Sequence, residues 1–403
     1  MPPGIAPAVH MAIAPDSGRS TRNPGIDLLR GLAIVLVVFN HLGLRIPLKQ
    51  TALADVLPAW FLSRLNYNGY EAVFVFFVIS GFLIAGNALR RWGSLERIDM
   101  RTFYARRFAR IVPCLLALIG LLSVLHLLAV PDYTISRPGQ SLPGAIWSAI
   151  GLHLNWYEGH TGYLPGNWDV LWSLSIEEVF YIGFPLVCLL TRRRWVLVPL
   201  LALLALSMPW THAALRGNDI WQEKAYLPGM SAIAIGVLGA LLAARSRTFP
   251  PRTTALLGWL GAIGLLAATI DGAVMWYLLR DGYMLLLALS ALCLLLACEQ
   301  RQRRGDWHPW RALDWLRSWG RLSYEIYLTH MFVVFAMVRL FKFAGGDLRL
   351  GFLWYLLTLP LCWLLGAAVE RWLSLPCERW LRARLLRAPA AGDNRAPVVV
   401  AAD

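Results

Sequence analysis

The chain has 403 residues, 58% of them hydrophobic and only 15% charged, with 19 Trp and a formal net charge of +14. Soluble domains run near half apolar and a quarter charged, so this composition excludes a disordered chain or a disulfide scaffold and argues against a soluble enzyme. It fits an all-α polytopic membrane protein. Basic residues gathered on one face would suggest nucleic acid, but here they fall between apolar runs, where they report topology, and no nucleic-acid partner is expected.

In chain order, residues 1–24 are rich in Pro, Ala and Ser, with no apolar stretch ahead of the first span. They read as a disordered cytoplasmic tail rather than a signal peptide. A membrane crossing needs about 20 mostly apolar residues. The candidates are 28–46, 70–90, 108–130, 173–191, 195–211, 226–244, 253–271, 276–298, 321–341 and 351–374. An eleventh apolar piece, 143–154, is short and is interrupted by Pro143, Gly144 and Gly151, so it reads as a re-entrant or interfacial helix. Residues 25–375 form a single transmembrane domain, and 376–403 read as a basic cytoplasmic tail. Cys114, Cys188, Cys293, Cys298, Cys362 and Cys377 sit in or beside apolar runs with no C-x-x-C spacing, and read as reduced packing residues.

Lys and Arg concentrate on the cytoplasmic side of membrane proteins. Ten spans with both termini cytoplasmic place 28 of the 38 Lys and Arg inside. Counting 143–154 as a full span would move Arg192, Arg193 and Arg194 outside, so ten is the better count. No repeat of fixed period appears, and the sequence carries no signal for oligomeric state.

Ionisable groups inside spans are costly and are functional candidates by default. Arg30 and His41 are eleven residues apart in the first span. That is three helical turns plus about 20°, one stripe, with about 16 Å between them along the axis. The plainer alternative is a snorkelling Arg and a His bonded to a neighbouring helix. Arg107 and Arg110 open the third span as an i, i+3 pair whose forked guanidiniums suit a phosphate-rich ligand, although basic residues at an inner helix end need no ligand. Glu177 and Glu178 begin the fourth span and are expected at the outer side, level with His41, where a carboxylate could orient a His or hold a hydroxyl. A helix amino terminus favouring negative charge is the alternative. The ninth span carries Tyr324, Glu325, Tyr327 and His330, for which structural and catalytic roles are equally open. The external stretch 153–172 holds His153, Trp156, Tyr157, Glu158, His160, Tyr163, Trp168 and Asp169, which could grip a polar acceptor or form an interfacial aromatic belt. His153 and His160 lack a zinc-ligand spacing, and no metal is expected. P-loop, dinucleotide, G-x-S-x-G and zinc-protease signatures are missing from the sequence.

Several stretches, taken in order, resemble the membrane acyltransferase 3 family. Leu29-Arg30-Gly31 through His41 is similar to its R-x10-H signature, and Val75 to Ile84 (VFFVISGFLI) to its F-F-V-L-S-G-F-L-I segment. Arg107-x-x-Arg110 followed by Pro113 matches its R-x-x-R element. Trp172 to Tyr181 (WSLSIEEVFY) is similar to W-S-L-S-V-E-E-x-F-Y, and Ser323 to His330 (SYEIYLTH) to S-Y-x-x-Y-L-x-H. One departure is Phe74, where many members carry Asp; Glu71, one turn earlier, is a candidate substitute.

The resemblance implies a multi-pass enzyme of the bacterial cytoplasmic (inner) membrane. Such an enzyme moves an acyl group, most often acetyl, from cytoplasmic acyl-CoA to a hydroxyl of an extracytoplasmic glycan or lipid-linked sugar. It implies catalysis by His41 with Glu177 in support, and donor binding by Arg30, Arg107 and Arg110. Acceptor contacts would come from Glu71, Trp172, Ser173, Glu178, Tyr324, Tyr327 and His330. His41 would act either as general base or as a transient acyl carrier. A proton-coupled transporter of a sugar or organic anion is the rival reading, since intramembrane His and Glu also serve as proton relays.

Overall fold

The computed structural model describes residues 22–245, 248–270, 272–307 and 310–386. In hydrocarbon every backbone N–H and C=O has to be paired within the segment, and the described chain is built of helices, most of them joined by short turns, with longer connections after Gly43 and after Leu127. The chain begins with α1 (Pro24–Gly43), α2 (Ala59–Tyr67), α3 (Gly69–Trp92) and α4 (Met100–Leu127), followed by the short helices α5 (Leu142–Ile150), α6 (Leu154–Thr161) and α7 (Gly166–Asp169). Next come α8 (Trp172–Thr191), α9 (Arg194–Leu206), α10 (Met208–Ala213), α11 (Asp219–Lys224), α12 (Tyr226–Arg245) and α13 (Pro251–Ile270). The last are α14 (Gly272–Leu279), α15 (Tyr283–Arg304), α16 (Asp314–Arg321), α17 (Ser323–Phe343), α18 (Phe352–Val369) and α19 (Leu375–Leu385).

Ten of these helices, or end-to-end helix pairs, are long and apolar enough to cross a membrane: α1, α3, α4, α7–α8, α9–α10, α11–α12, α13, α14–α15, α17 and α18–α19. The chain is a multi-pass membrane protein. The expected eleventh piece is two elements. α5 stops at Ile150, and the chain turns through Gly151 to His153 before α6 begins. At nine residues α5 is about 13 Å long, far short of a crossing, and it turns Trp147 and Ile150 outward. The C-terminal stretch read as a tail starts as helix. A π-turn over Glu370–Ser374 carries α18 into α19, which packs along α4 as far as Leu385. Residues 1–21 and 387–403, the remainder of both expected tails, lie outside the described residues.

α12 is the central element. It packs most extensively on α3, and 72% of its apolar window is buried, against 17% for α13 at the edge. The α3–α12 crossing is backbone-close: a Cβ on Gly81 would sit 1.9 Å from the Ile233 carbonyl oxygen, and one on Gly236 2.0 Å from that of Val78. A second such crossing joins α1 to α16. There Gly31 faces the Leu316 carbonyl at 1.9 Å and Gly320 faces that of Asp27 at 1.7 Å, again measured from an added Cβ. Small residues at helix crossings maximise van der Waals contact where lipid supplies no hydrophobic drive. The α1–α16 contact also sets the place of α17, whose first residue follows α16 after Leu322.

The two ends of the bundle differ in charge. One end, called here the basic end, gathers Arg90, Arg194, Arg245 and Arg303 around one pocket, and ties Arg101 of α4 to the Leu385 carbonyl of α19. The opposite end has fewer basic residues, and several of them pair with carboxylates: Arg349 with Asp55, Arg339 with Asp132, Arg216 with Asp281, and Lys224 with Glu158 and Asp169.

Candidate active site

Helix α1 starts cleanly because the Asn23 side-chain oxygen accepts from the backbone N–H groups of Gly25 and Ile26. From that cap Arg30 is two turns in and His41 three turns further, on one stripe. Helix α17 runs beside α1 and meets both residues. Arg30 donates to the Ser323 hydroxyl from Nη2 at 2.8 Å and from Nε at 3.1 Å. The His41 ring lies 5.1 Å, centroid to centroid, from the ring of His330, tilted by 47°. His330 is wholly buried, with Nδ1 2.8 Å from the Tyr327 carbonyl oxygen. A carbonyl only accepts, so the proton sits on Nδ1. Nε2 is left as a buried lone pair with no hydrogen-bond partner among the described residues. His41, by contrast, is only half-buried.

Beside the Arg30–Ser323 contact lies a cavity of about 90 Å³ lined by Arg30, Ser80, Ser173, Glu177, Tyr324 and Tyr327, with neither His41 nor His330 on its wall. Five of these six were candidates from sequence. The tyrosines are fixed by their hydroxyls: Tyr327 donates to the Val170 carbonyl at 2.9 Å and accepts from Ser173 at 2.7 Å, and Tyr324 donates to the Ile111 carbonyl at 3.0 Å. The cavity has room for about three waters, so any larger guest has to part the helices around it. Trp172 has a packing role, with its ring edge-on to Phe77 at 6.0 Å.

The glutamates do not sit level with His41. The span that carries them begins at Gly166, about a turn and a half before Trp172, which puts Glu177 and Glu178 near the middle of its 26 residues. There they meet Arg107 of α4. Arg107 lies 3.2 Å from Glu178 and 3.9 Å from Glu177, and its guanidinium stacks 3.7 Å from the centre of the Tyr181 ring. Glu177 also accepts from Ser80 of α3 at 3.0 Å. Arg110 is similarly engaged, 2.9 Å from the fully buried Glu325 and 3.4 Å from Glu378 of α19. Arg382 of α19 lies 2.5 Å from Glu378 as well. With Arg30, four guanidiniums stand among four carboxylates in this layer, and the ion-paired Arg107 and Arg110 do not present a free positive field for a phosphate. Arg30 differs from them: its hydrogen bonds go to a neutral hydroxyl.

Other candidates lie away from the cavity. Glu71 is in the first turn of α3, with Oε2 buried and unpaired among the described residues. Phe74 is buried between Tyr70 and Phe77, with ring centroids 4.9 and 5.5 Å away. In the stretch 153–172 Glu158 and Asp169 are not open for an acceptor, because both hold the buried Lys224, with Glu158 Oε2 at 2.8 Å. Glu158 also accepts from the Leu164 backbone N–H. The Trp156 and His160 rings are in tilted contact, centroids 4.2 Å apart, and His160 meets Trp221 edge-on. Sequence reasoning passed over Ser80, Ser323, Lys224 and Glu378. The two serines were legible as hydroxyls inside the quoted motifs; Lys224 and Glu378 owe their partners to chain folding alone. Among the described residues no three His, Cys, Asp or Glu side chains gather as metal ligands would.

A family model described as an acyltransferase domain matches residues 23–367, most of the chain and every residue of the cavity and the charged layer except Glu378 and Arg382. The chain belongs to this family, the membrane acyltransferase 3 family. Among curated relatives, a peptidoglycan O-acetyltransferase OatA of Listeria monocytogenes is 25% identical over 332 residues, covering 76% of this chain and 48% of that protein. An O-acetyltransferase OatA of Staphylococcus aureus is 31% identical over 175 residues, covering 41% of this chain and 24% of its own length. The chain thus spans about half or less of the curated relatives it matches. No solved structure matches it.

Proposed function

We propose that this acyltransferase-family chain transfers an acyl group, acetyl first among them, from acyl-CoA to a hydroxyl of an extracytoplasmic glycan or lipid-linked sugar. The observation that carries the reading is the lane along α1 and α17. Arg30 marks its inner part and the half-buried His41 its far part, with a cavity of tyrosine, serine and carboxylate groups beside Arg30. The relatives named O-acetyltransferases supply the acetyl group and the oxygen acceptor by analogy. The Lys and Arg bias supports the basic end as the cytoplasmic one, so the donor would enter beneath Arg30 and the acceptor would approach from beyond His41.

In this reading the neutral His41 imidazole takes the proton from the acceptor hydroxyl. The oxygen attacks the thioester carbonyl carbon, the carbon–sulfur bond breaks, and the proton passes from the imidazolium to the leaving thiolate. A positioned base of this kind supplies about 10²–10⁴-fold in rate. Attack by His41 itself would instead break the carbon–sulfur bond, expel the CoA thiolate and give a transient acyl-imidazole; the acceptor oxygen then takes the acyl group, its proton passing to the freed imidazole. Acyl label retained on purified protein without acceptor would select the second route. His330, proton on Nδ1, would act beside His41 as a positioning group. Arg107 and Arg110 would frame the donor side by holding Glu177, Glu178 and Glu325 in place.

The test is mass spectrometry of ester-linked acyl groups on cell-surface glycans, with and without the chain and with a His41→Ala add-back. Loss of the esters in the absence of the chain and with the variant is expected. Unchanged esters, or solute flux that follows a proton gradient without any acyl donor, would move the assignment to a transporter.

A further inference from the structure

A second cavity, larger than the one beside Arg30, lies elsewhere in the described bundle. It lies at the basic end, about 280 Å³, between the ends of α3, α9, α12 and α15, and each of these helices contributes one arginine: Arg90, Arg194, Arg245 and Arg303. Its floor is apolar, formed by Phe82 and Leu241 among others. It opens on a different stretch of α3 from the transfer cavity, which is lined by Phe76 and Ser80.

Each arginine has an ordinary reason to stand at a helix end. Arg90, Arg245 and Arg303 are in last turns, where the helix dipole favours a cation, and inner loops of membrane proteins are basic in general. Neither reason explains why four helices aim them into one pocket with a single carboxylate, Glu299, on its wall. Glu299 is committed to Arg303 at 2.9 Å, and Arg194 is paired outside the pocket with Glu96 at 3.4 Å. Among the described residues Arg90 bonds the neutral Asn87 amide and no carboxylate, and Arg245 has no ion pair. Two guanidiniums therefore face a pocket with space for about nine waters. Guanidiniums in this setting bind phosphate oxygens with charge-assisted, often bidentate hydrogen bonds, and basic pockets between spanning helices take anionic headgroups.

We propose that this pocket is a second anion site, built for a phosphate group and separate from the transfer cavity. The apolar floor and the position at the ends of spanning helices favour the phosphodiester headgroup of an anionic lipid, whose chains would continue along the helices; a soluble polyphosphate shares the same chemistry. The assignment is independent of the acyl-transfer reading.

Native mass spectrometry of the full chain in detergent tests it, with dihexanoyl phosphatidylglycerol and inorganic pyrophosphate as separate probes. Two variants are needed. The double variant Arg90→Gln/Arg245→Gln removes the uncommitted charges. Gly86→Leu fills the pocket and keeps all four arginines, and therefore the topology signal. A Cβ at Gly86 meets only the Arg90 guanidinium, at 3.6 Å. Binding of phosphatidylglycerol that falls about tenfold or more in Gly86→Leu, and likewise in the double variant when that protein is recovered, is expected and assigns a lipid. Binding of pyrophosphate with the same losses, and without lipid binding, assigns a soluble phosphate. If neither probe binds, or if Gly86→Leu binds as well as the parent, the proposal is wrong.

Discussion

His41 and Arg107 show how differently two residues of the same motif set depend on their surroundings. His41 is half-buried beside a neighbouring imidazole, so removing it leaves no unpaired charge behind. His41→Ala is expected to lower transfer by about 10²–10⁴-fold while yield and thermal stability in detergent stay at the parental level; the same purified sample supplies both measurements. Arg107 is the counterion of Glu178 and a neighbour of Glu177, both inside the bundle. Arg107→Ala strands these carboxylates, and breaking a buried pair by removing one partner costs about 3 kcal/mol or more. The expected outcome is therefore lost folding, seen as poor recovery in detergent, more than a selective loss of donor affinity. Adding Glu178→Gln to Arg107→Ala should restore part of that yield. A well-folded Arg107→Ala protein with weakened CoA binding would restore the direct donor-binding role that its sequence position suggests.

At the scale of elements, the crossings of α1 with α16 and of α3 with α12 hold the site together through glycine. Gly31→Ala would place a methyl 1.9 Å from the Leu316 carbonyl oxygen, a backbone atom that cannot swing aside. Overpacking of this kind costs about 3 kcal/mol, and it would also push α17, which follows α16, away from Arg30. Thermal unfolding in detergent should fall clearly for Gly31→Ala and for Gly81→Ala, whereas Gly120→Ala, with nothing within 4 Å of its Cβ position, should be silent. The start of α4 supplies a pH-dependent case. The Asp99 carboxylate accepts the Thr102 N–H at 3.0 Å, and hydrogen bonds from Thr102 hold this carboxyl below its ordinary value. A lowered folded-state pKa means that the cap contributes above the unfolded carboxyl's value near 4, and that the contribution disappears as pH falls through the lower folded value. Asp99→Ala should cost about 1 kcal/mol at pH 7, and the difference from the parent should shrink to nothing in strong acid.

For the whole molecule, the asymmetry of charge between the two ends makes one prediction. With the basic end cytoplasmic, single cysteines placed at 136 and at 347 in a background lacking the native six should react with a membrane-impermeant maleimide from outside intact cells, and one placed at 193 should not. The reverse pattern would invert the direction proposed for the donor.

What the sequence determined by itself was every property that depends on local pattern. Ten apolar runs of spanning length became ten spanning elements, because hydrocarbon leaves a backbone no alternative to the helix. The Arg30–His41 stripe followed from helical period, and Ser173, Glu177, Tyr324 and Tyr327 stood in motifs that the fold draws to one cavity. Tertiary structure decided everything that depends on partners and levels. Glu177 fell to mid-span because α7, a four-residue helix after Pro165, extends its span beyond the apolar run. Arg110 met Glu378 only because a π-turn lets α18 continue into α19 and lean on α4. Pairing energies act between residues hundreds of positions apart, and composition along a line does not record which helix a side chain will face once the bundle closes.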